Sequence, residues 1–238
     1  MKKLFLFMLL LVVSALTLAA CSSEGSKSVV SVSADPAKLV VNVGTSPTYP
    51  PFVSEKNGEL VGFDIALIKK IAEVEGFEVE FSIMQYDGLI PALKAGQLDV
   101  VVGAISITDK RMESINFSNA YYASGLSILS KPDSGITSFE DLKDRLIGIQ
   151  KGTSSYNYMI SNGIEDQNIK QYADISTAYS SLENDGVDAI LYDNPSNINY
   201  ITEQNSEARI VGDILAGEFY GITVNKDKED ILKKSMKD

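Results

Sequence analysis

Residues 63–84 read FDIALIKKIAEVEGFEVEFSIM and predict one helix followed by one strand. Apolar side chains recur at helical spacing from Phe63 to Glu75, Gly76 ends that pattern, and residues 78–84 follow as a strand. Before the helix, residues 38–44 (KLVVNVG) form a short apolar run that is typical of a buried strand. A strand, a helix of roughly ten residues and a second strand are the repeating unit of a parallel sheet covered by helices.

The same alternation continues to the end of the chain. We predict further strands at 98–104, 125–130, 146–149 and 189–192, and further helices at 88–95, 138–143, near 155–161 and at 175–183. The pattern restarts after Tyr122, as if a second sheet were inserted into the first. The sequence therefore predicts an α/β protein with two lobes.

Each lobe is expected to be a mixed β-sheet flanked by helices, with two strands crossing between the lobes near 124–125 and 211–215. The first lobe would comprise residues 37–124 and 215–238, and the second lobe residues 125–214. The chain ends within an apparent helix (EDILKKSMKD), which suggests that a further helix is truncated. In open α/β sheets ligands bind beyond the carboxyl ends of the strands, so we expect a site in the cleft between the lobes.

Composition excludes several classes of chemistry. The chain has 238 residues of which 45% are apolar, enough for one large core or two modest ones. It contains no histidine and one cysteine, so a Ser-His nucleophile, imidazole or thiolate metal sites and an internal disulfide are not expected. A formal charge of −11 argues against a nucleic-acid partner. We expect no metal and no cofactor.

The N-terminus predicts export. Two lysines precede the apolar run Leu4–Val13, and small residues lead to Cys21, which together indicate a signal peptide over residues 1–20. The tetrapeptide LAAC at 18–21 resembles a bacterial lipobox, in which the cysteine becomes the lipid-modified N-terminus. The alternative is an uncleaved membrane anchor, although the run is shorter than the roughly 20 residues needed to span. The Ser-rich residues 21–36 would form a flexible tether outside the cytoplasm.

The segment DVVVGAISITDKR (99–111) runs from an apolar strand into a polar turn that carries Arg111. A guanidinium can hold a carboxylate through two parallel hydrogen bonds, and Ser106 could add its hydroxyl and its backbone N–H. The alternative is that Arg111 pairs with Asp109 or Glu113 on a solvated face.

Two features in the second half could complete a site. Residues 150–154 (QKGTS) join a strand to a helix, and free N–H groups at such a turn bind anions. Asp193 ends a buried strand, where its carboxylate would suit a ligand ammonium or would cap the helix that follows. Arg111 and Asp193, from opposite lobes, match the two charges of an α-amino acid zwitterion.

Several motifs then occur in order along residues 39–225. They are YPPF (49–52), GELVGFDIALIKKIA (58–72), YDGLIPALKAGQLDVVVGAISITDKR (86–111), INFSNAYYASG (115–125), IGIQKGTS (147–154) and VDAILYDNP (187–195). With these motifs the chain resembles the periplasmic-type solute-binding proteins of polar amino acid ABC transporters. The resemblance implies a type II periplasmic binding protein-like fold and a monomer. It also implies an amino acid ligand, an ABC permease partner and attachment to the membrane through lipid on Cys21.

The resemblance also implies roles for individual residues. Arg111 falls on the arginine that binds the ligand carboxylate, and Ser154 on a backbone donor to the same group. Asp193 falls on the aspartate that binds the ammonium, and Ala104 on a position whose carbonyl accepts from it. Ser106 falls on the family's hydroxyl residue.

Four further positions concern the ligand side chain. Tyr49 and Tyr86 fall on two aromatics that sandwich it, Ser46 stands where relatives for cationic amino acids carry an acid, and Gln150 stands where a side-chain-reading residue is expected. With the zwitterion charges already matched, no acid is expected to remain for a cationic side chain, and burying that charge alone would cost several kcal/mol. The sequence therefore favours glutamine or a similar neutral polar amino acid.

Two other functions compete with this interpretation. A few relatives of this fold resemble cyclohexadienyl dehydratases, which place a carboxylate beside the substrate in the same cleft. We predict no second carboxylate near Asp193, and paired carboxylates are what such catalysis would need, so an enzyme is disfavoured. An extracellular ligand-sensing domain is disfavoured because no further domain follows in the sequence.

Overall fold

Two five-stranded sheets organise residues 38–228, the part of the chain that this computed structural model describes. The strands are β1 (Val40–Thr45), β2 (Thr48–Tyr49), β3 (Val53–Lys56), β4 (Glu59–Val61), β5 (Glu78–Ile83), β6 (Val100–Val101), β7 (Ile115–Phe117), β8 (Tyr122–Ser130), β9 (Ile147–Gln150), β10 (Ile169–Tyr172), β11 (Ala189–Asp193), β12 (Arg209–Tyr220) and β13 (Thr223–Asn225). The helices are α1 (Phe63–Glu75), α2 (Tyr86–Lys94), α3 (Asp109–Met112), α4 (Ser154–Ser161), α5 (Ile175–Glu183) and α6 (Asn194–Gln204).

The first sheet has the strand order β5-β1-β6-β13-β7, with β1 parallel to β5 and β6 and with β13 antiparallel to β6 and β7. Strands β2, β3 and β4 form a small three-stranded sheet, which helix α1 connects to the first sheet. The helix buries Ile65, Ile68 and Ala72 along one face. Gly76 ends the helix in the left-handed conformation, with its N–H donating to the carbonyl of Ala72. The apolar spacing of this helix thus becomes its buried face.

The second sheet has the order β10-β9-β11-β8-β12, with β9 parallel to β10 and β11. Strands β8 and β12 run antiparallel to each other, and β8 also pairs antiparallel with β11. A second core lies against this sheet and includes the fully buried Ile147, Ile149 and Leu191. The carboxyl ends of β9 and β11 therefore open at the same edge of the sheet.

The predicted α/β class with two mixed sheets is confirmed, and helix α1 has the predicted bounds. The predicted strand 98–104 was too long: β6 covers only Val100–Val101, because Gly103 and Ala104 take positive φ angles of 138° and 52° and leave the ladder. The predicted helix 138–143 is wrong. Only a 3₁₀ turn, Glu140–Leu142, forms there, and the Asp141 carboxylate accepts from the N–H groups of residues 137 and 138.

Strands β8 and β12 pair along the expected crossings, from Tyr122 with Tyr220 to Ser130 with Arg209, and the register shifts between Val211 and Leu215 and again between Leu215 and Gly217. The lobe boundaries stay a prediction. The signal peptide (1–20), Cys21, the tether (21–36) and the C-terminal stretch 229–238 lie outside the described residues. Within residues 38–228, no helix is both long enough and apolar enough to cross a bilayer.

Gly62 provides a test of the packing between the small sheet β2–β3–β4 and helix α1. It has a φ of 126°, and a Cβ there would overlap the Phe52 carbonyl and lie 2.9 Å from the Pro51 oxygen. We expect Gly62→Ala to lower the free energy of unfolding by about 3 kcal/mol or more, because backbone strain and steric overlap add. Denaturant-induced unfolding measures this change in the free energy of unfolding.

The matched control is Gly76→Ala. Gly76 also has a positive φ, 74°, but within the described residues no heavy atom lies within 4 Å of the point that an added Cβ would occupy. This change should cost only about 1 kcal/mol from conformation alone. Equal losses of unfolding free energy in the two variants would contradict the close approach of the Phe52 carbonyl to Gly62.

Candidate functional site

Arg111 joins the two sides of the cleft. It lies on the short helix α3, whose N-cap Thr108 accepts the Arg111 backbone N–H at 3.3 Å. Its guanidinium donates to the Ser106 carbonyl at 2.7 Å, to the Tyr86 hydroxyl at 3.3 Å and to the Gly152 carbonyl at 3.0 Å. Gly152 follows β9 of the second sheet. Arg111 forms no salt bridge within residues 38–228, so it does not pair with a neighbouring acid on a solvated face.

Other contacts cross the cleft beside Arg111. The Lys151 ammonium lies 2.8 Å from the Asp87 carboxylate, and Lys110 donates to the side chain of Asn157 at 3.3 Å. A Cβ on Gly152 would lie 2.9 Å from the Asp87 Cα, so only glycine lets the two backbones come this close. The two sides of the cleft are therefore in direct contact.

Asp193 ends β11 at the N-cap position of α6, yet its side chain makes no capping hydrogen bond. Its Oδ2 accepts instead from the Tyr220 hydroxyl at 2.5 Å and from the Tyr49 hydroxyl at 3.3 Å. The two phenol oxygens are 2.7 Å apart, and Ser124 Oγ lies 2.8 Å from that of Tyr220. The carboxylate thus faces a buried polar cluster rather than the end of the helix.

The Asp193 carboxyl is 5% exposed, and its environment opposes ionisation. Burial raises its pKa to about 7, and the nearby Glu218 carboxylate adds to the rise. Hydrogen bonds from Tyr220 and Tyr49 and the charge of Arg111 act in the opposite direction. A cation placed beside Asp193 would relieve this cost.

Glu218 is a site residue that the sequence analysis missed. It lies on β12 with 7% exposure, and its Oε2 accepts from Ser106 Oγ at 2.7 Å. The expectation that no second carboxylate lies near Asp193 is therefore wrong. Ser106 and Glu218 are 112 residues apart, so no local pattern pairs them. Glu218 follows the predicted crossing at 211–215, and a charged residue beside that crossing was the available signal.

A third buried carboxylate shapes the loop that follows β6. Asp64 is 1% exposed, and its Oδ2 accepts from Gly103 N at 2.8 Å, Ala104 N at 2.7 Å and the Tyr121 hydroxyl at 2.7 Å. Burial raises the pKa of Asp64, and these three hydrogen bonds partly offset the rise. Asp64 therefore stabilises the loop in which Gly103 and Ala104 have positive φ angles.

The two predicted aromatics lie at different ends of the site. Tyr49 is 5% exposed, stacks on Phe52 at 5.4 Å between ring centroids, and contacts Tyr192 edge-on at 5.7 Å. Tyr86 is partly buried, with its hydroxyl on the Arg111 guanidinium. Tyr49 thus belongs to the Asp193 end and Tyr86 to the Arg111 end.

The remaining predicted positions have distinct surroundings. Ser154 begins α4, and its buried hydroxyl has no hydrogen-bond partner within the described part of the chain. Gln150 is 1% exposed, and its side-chain oxygen accepts from the Tyr192 hydroxyl at 2.6 Å. Ser46 is buried near the end of β1. Gln150 is therefore engaged within the second lobe.

The site presents a guanidinium at one end and buried carboxylates at the other, with backbone groups between them. Residues 38–228 contain no group of acidic, histidine or cysteine side chains suited to hold a metal ion. Such an arrangement can hold the two ends of a small dipolar molecule. The fold and this site define a class of protein, the two-lobed α/β binding proteins that take a solute into the cleft between their sheets.

Residues 41–237 match the model of the bacterial extracellular solute-binding proteins, family 3, and the chain belongs to that family. A relative from Campylobacter jejuni, named a probable histidine-binding protein, is 32% identical over 235 residues, which cover 98% of this chain and 90% of that protein. Two structures of an ancestral arginine-binding protein are also similar, one bound to glutamine and one bound to arginine. Each is 38% identical and covers 82% of this chain and 88% of its own, with TM-scores of 0.76 and 0.75.

Proposed function

We propose that this protein captures a polar L-amino acid, with glutamine or a similar neutral side chain favoured, and delivers it to an ABC importer. The observation that carries the proposal is that the Arg111 guanidinium contacts Gly152 across the two sheets and lies close enough to act on the buried Asp193 carboxyl of the second sheet. Their charges match those of a zwitterion, and the polar ends would be bound where water is largely excluded. Membership of an extracellular solute-binding family supports this function.

The proposed contacts follow from the groups that remain available. Arg111 and the backbone N–H of Ser154 would bind the ligand carboxylate, since the first turn of α4 offers free donors. Asp193 and the Ala104 carbonyl would bind the ammonium. Tyr86 and Tyr49 would flank the side chain, with Ser46 and Gln150 beyond them as specificity positions.

The preference for a neutral side chain rests on Ser46 and Gln150, neither of which is acidic. The structure of a related protein with bound glutamine is consistent with that preference. Glu218 favours a cationic ligand as the alternative, because it places a second buried carboxylate near Asp193. Histidine and arginine, which the names of relatives mention, are therefore the competing ligands to test.

The wider arrangement is also part of the proposal. Residues 37–124 with 215–238 would form one lobe and residues 125–214 the other, closing around the ligand because each lobe supplies half of its contacts. Lipid on Cys21 and the tether at 21–36 would hold a monomeric protein at the outer face of the cell membrane, beside its permease.

A second candidate function is catalysis by a dehydratase-like mechanism. The observation that favours it is the proximity of the Glu218 carboxylate to Asp193, because a pair of neighbouring carboxyl groups could serve as acid and base. The family comprises solute-binding proteins, which favours binding without chemistry. We therefore retain binding as the function.

Calorimetric titration tests the function directly. We expect L-glutamine to bind more tightly than L-arginine, L-lysine or L-histidine, because no acid is assigned to the side-chain end of the site. Mass spectrometry after prolonged incubation should recover the amino acid chemically unchanged. Tighter binding of arginine or lysine would overturn the ligand preference, and a converted product would establish an enzyme.

Two substitutions test the charged contacts. Arg111→Ala should abolish measurable binding, and Asp193→Asn should weaken it by about a hundredfold or more, because each leaves a ligand charge buried and unpaired. Lys70→Ala is the control, since Lys70 pairs with Glu73 on an exposed face of α1. Unchanged affinity in Arg111→Ala would show that the carboxylate is bound elsewhere.

The raised pKa of Asp193 predicts a pH dependence. An ammonium requires the ionised carboxylate, and with a pKa of about 7 this carboxyl becomes protonated as the pH falls. The Kd should therefore rise between pH 7 and pH 5, by up to about a hundredfold, and binding at pH 7 should release protons. Titration in buffers of different ionisation enthalpy measures the release. A Kd that stays constant over this range would contradict the assignment.

A further inference from the structure

The single hydroxyl proton of Ser106 is already used in a hydrogen bond to Glu218. A serine hydroxyl has one hydrogen to donate and two lone pairs to accept with. In the 2.7 Å contact between Ser106 Oγ and Glu218 Oε2, the Ser106 hydroxyl is the donor. The Ser106 hydroxyl therefore presents only lone pairs to any other partner.

The backbone holds this pair in place. Ser106 forms a β-bridge with Tyr220, and main-chain hydrogen bonds lie on both sides of it, from Ile107 N to Phe219 O at 2.8 Å and from Gly221 N to Ile105 O at 3.1 Å. Both side chains of the pair are buried, with 3% exposure for Ser106 and 7% for the acid. The hydroxyl orientation is thus set by a rigid surrounding rather than by a mobile side chain.

This orientation separates the two ends of the ligand site. A carboxylate held by Arg111 needs donors, and the Ser106 hydroxyl has no hydrogen left to give it. An ammonium needs acceptors, which that hydroxyl does offer. The Glu218 charge also acts on Asp193, the carboxylate proposed to bind the ammonium. Ser106, Glu218 and Asp193 therefore favour the same end of a zwitterion.

We propose that Glu218 is a positioning residue that orients the Ser106 hydroxyl as an acceptor for the ligand ammonium. The inference rests on the proposed function, in which the ligand is an amino acid held by Arg111 and Asp193. It assigns the second buried acid to the amine, so that no carboxylate is left for a cationic side chain. The site then selects ligands with a free amino group and a neutral side chain.

A double-mutant cycle tests the assignment, with L-glutamine as the probe in calorimetric titrations at pH 7.5. Glu218→Gln keeps the shape of the side chain and removes its charge, and should weaken binding by about tenfold or more. In the S106A background the same change should weaken binding by less than about threefold, because the oriented hydroxyl is already gone. A purely structural role of Glu218 would cost the same in both backgrounds.

Asp213→Asn is the matched control, because Asp213 is an exposed acid on the same strand β12. It removes an equal charge and should leave the affinity within about twofold. Equal losses from Glu218→Gln with and without Ser106, or no loss at all, would overturn the inference. The proposed function is judged separately, from the wild-type titration.

A second measurement guards against a folding defect in Glu218→Gln. Ser106→Ala should reduce the affinity for L-glutamine by about tenfold while changing that for the analogue with hydrogen in place of the α-amino group by less than about threefold, since that analogue has no donor for the Ser106 hydroxyl. Equal effects on the two compounds would assign the hydroxyl to another part of the ligand and overturn the proposal.

Discussion

The Arg111 guanidinium is the interaction on which the cleft depends. It donates to two oxygens on its own side, from Ser106 and Tyr86, and to the Gly152 carbonyl on the other. A planar cation with five donors can satisfy such divergent acceptors, which a lysine ammonium could not do with the same geometry. The group proposed to bind the ligand carboxylate therefore also connects the two sheets.

Three carboxylates of the candidate site are buried, and each makes different contacts. Asp64 organises a backbone loop, Asp193 meets two phenols at the end of a strand, and Glu218 orients a serine hydroxyl. Burial without full compensation raises the pKa of Asp64 and of Asp193. A buried charge is costly unless it is paired, so the arrangement is suited to receive a positive group at one end.

The elements that could be predicted are those with strong local signals. Helix α1 has a clear apolar period and a glycine C-cap, and its observed bounds are the predicted ones. The helix predicted at 138–143 failed because a local carboxylate–backbone hydrogen-bond pattern competes with helix formation there. A helix was expected after Asp193, but the bounds of α6 were not predicted, because its sequence, NPSNINYITEQ, is mostly polar and has little apolar periodicity.

The sequence by itself determined the α/β class, the presence of a cation after one strand and an acid after another, and the family resemblance. Only the tertiary structure decided that Asp193 contacts phenols instead of capping α6, and that Glu218 belongs to the site. Local spacing specifies helices and strands because their hydrogen bonds join neighbours in the chain. A hydrogen bond across 112 residues has no such local signature, because it depends on where two strands cross in space.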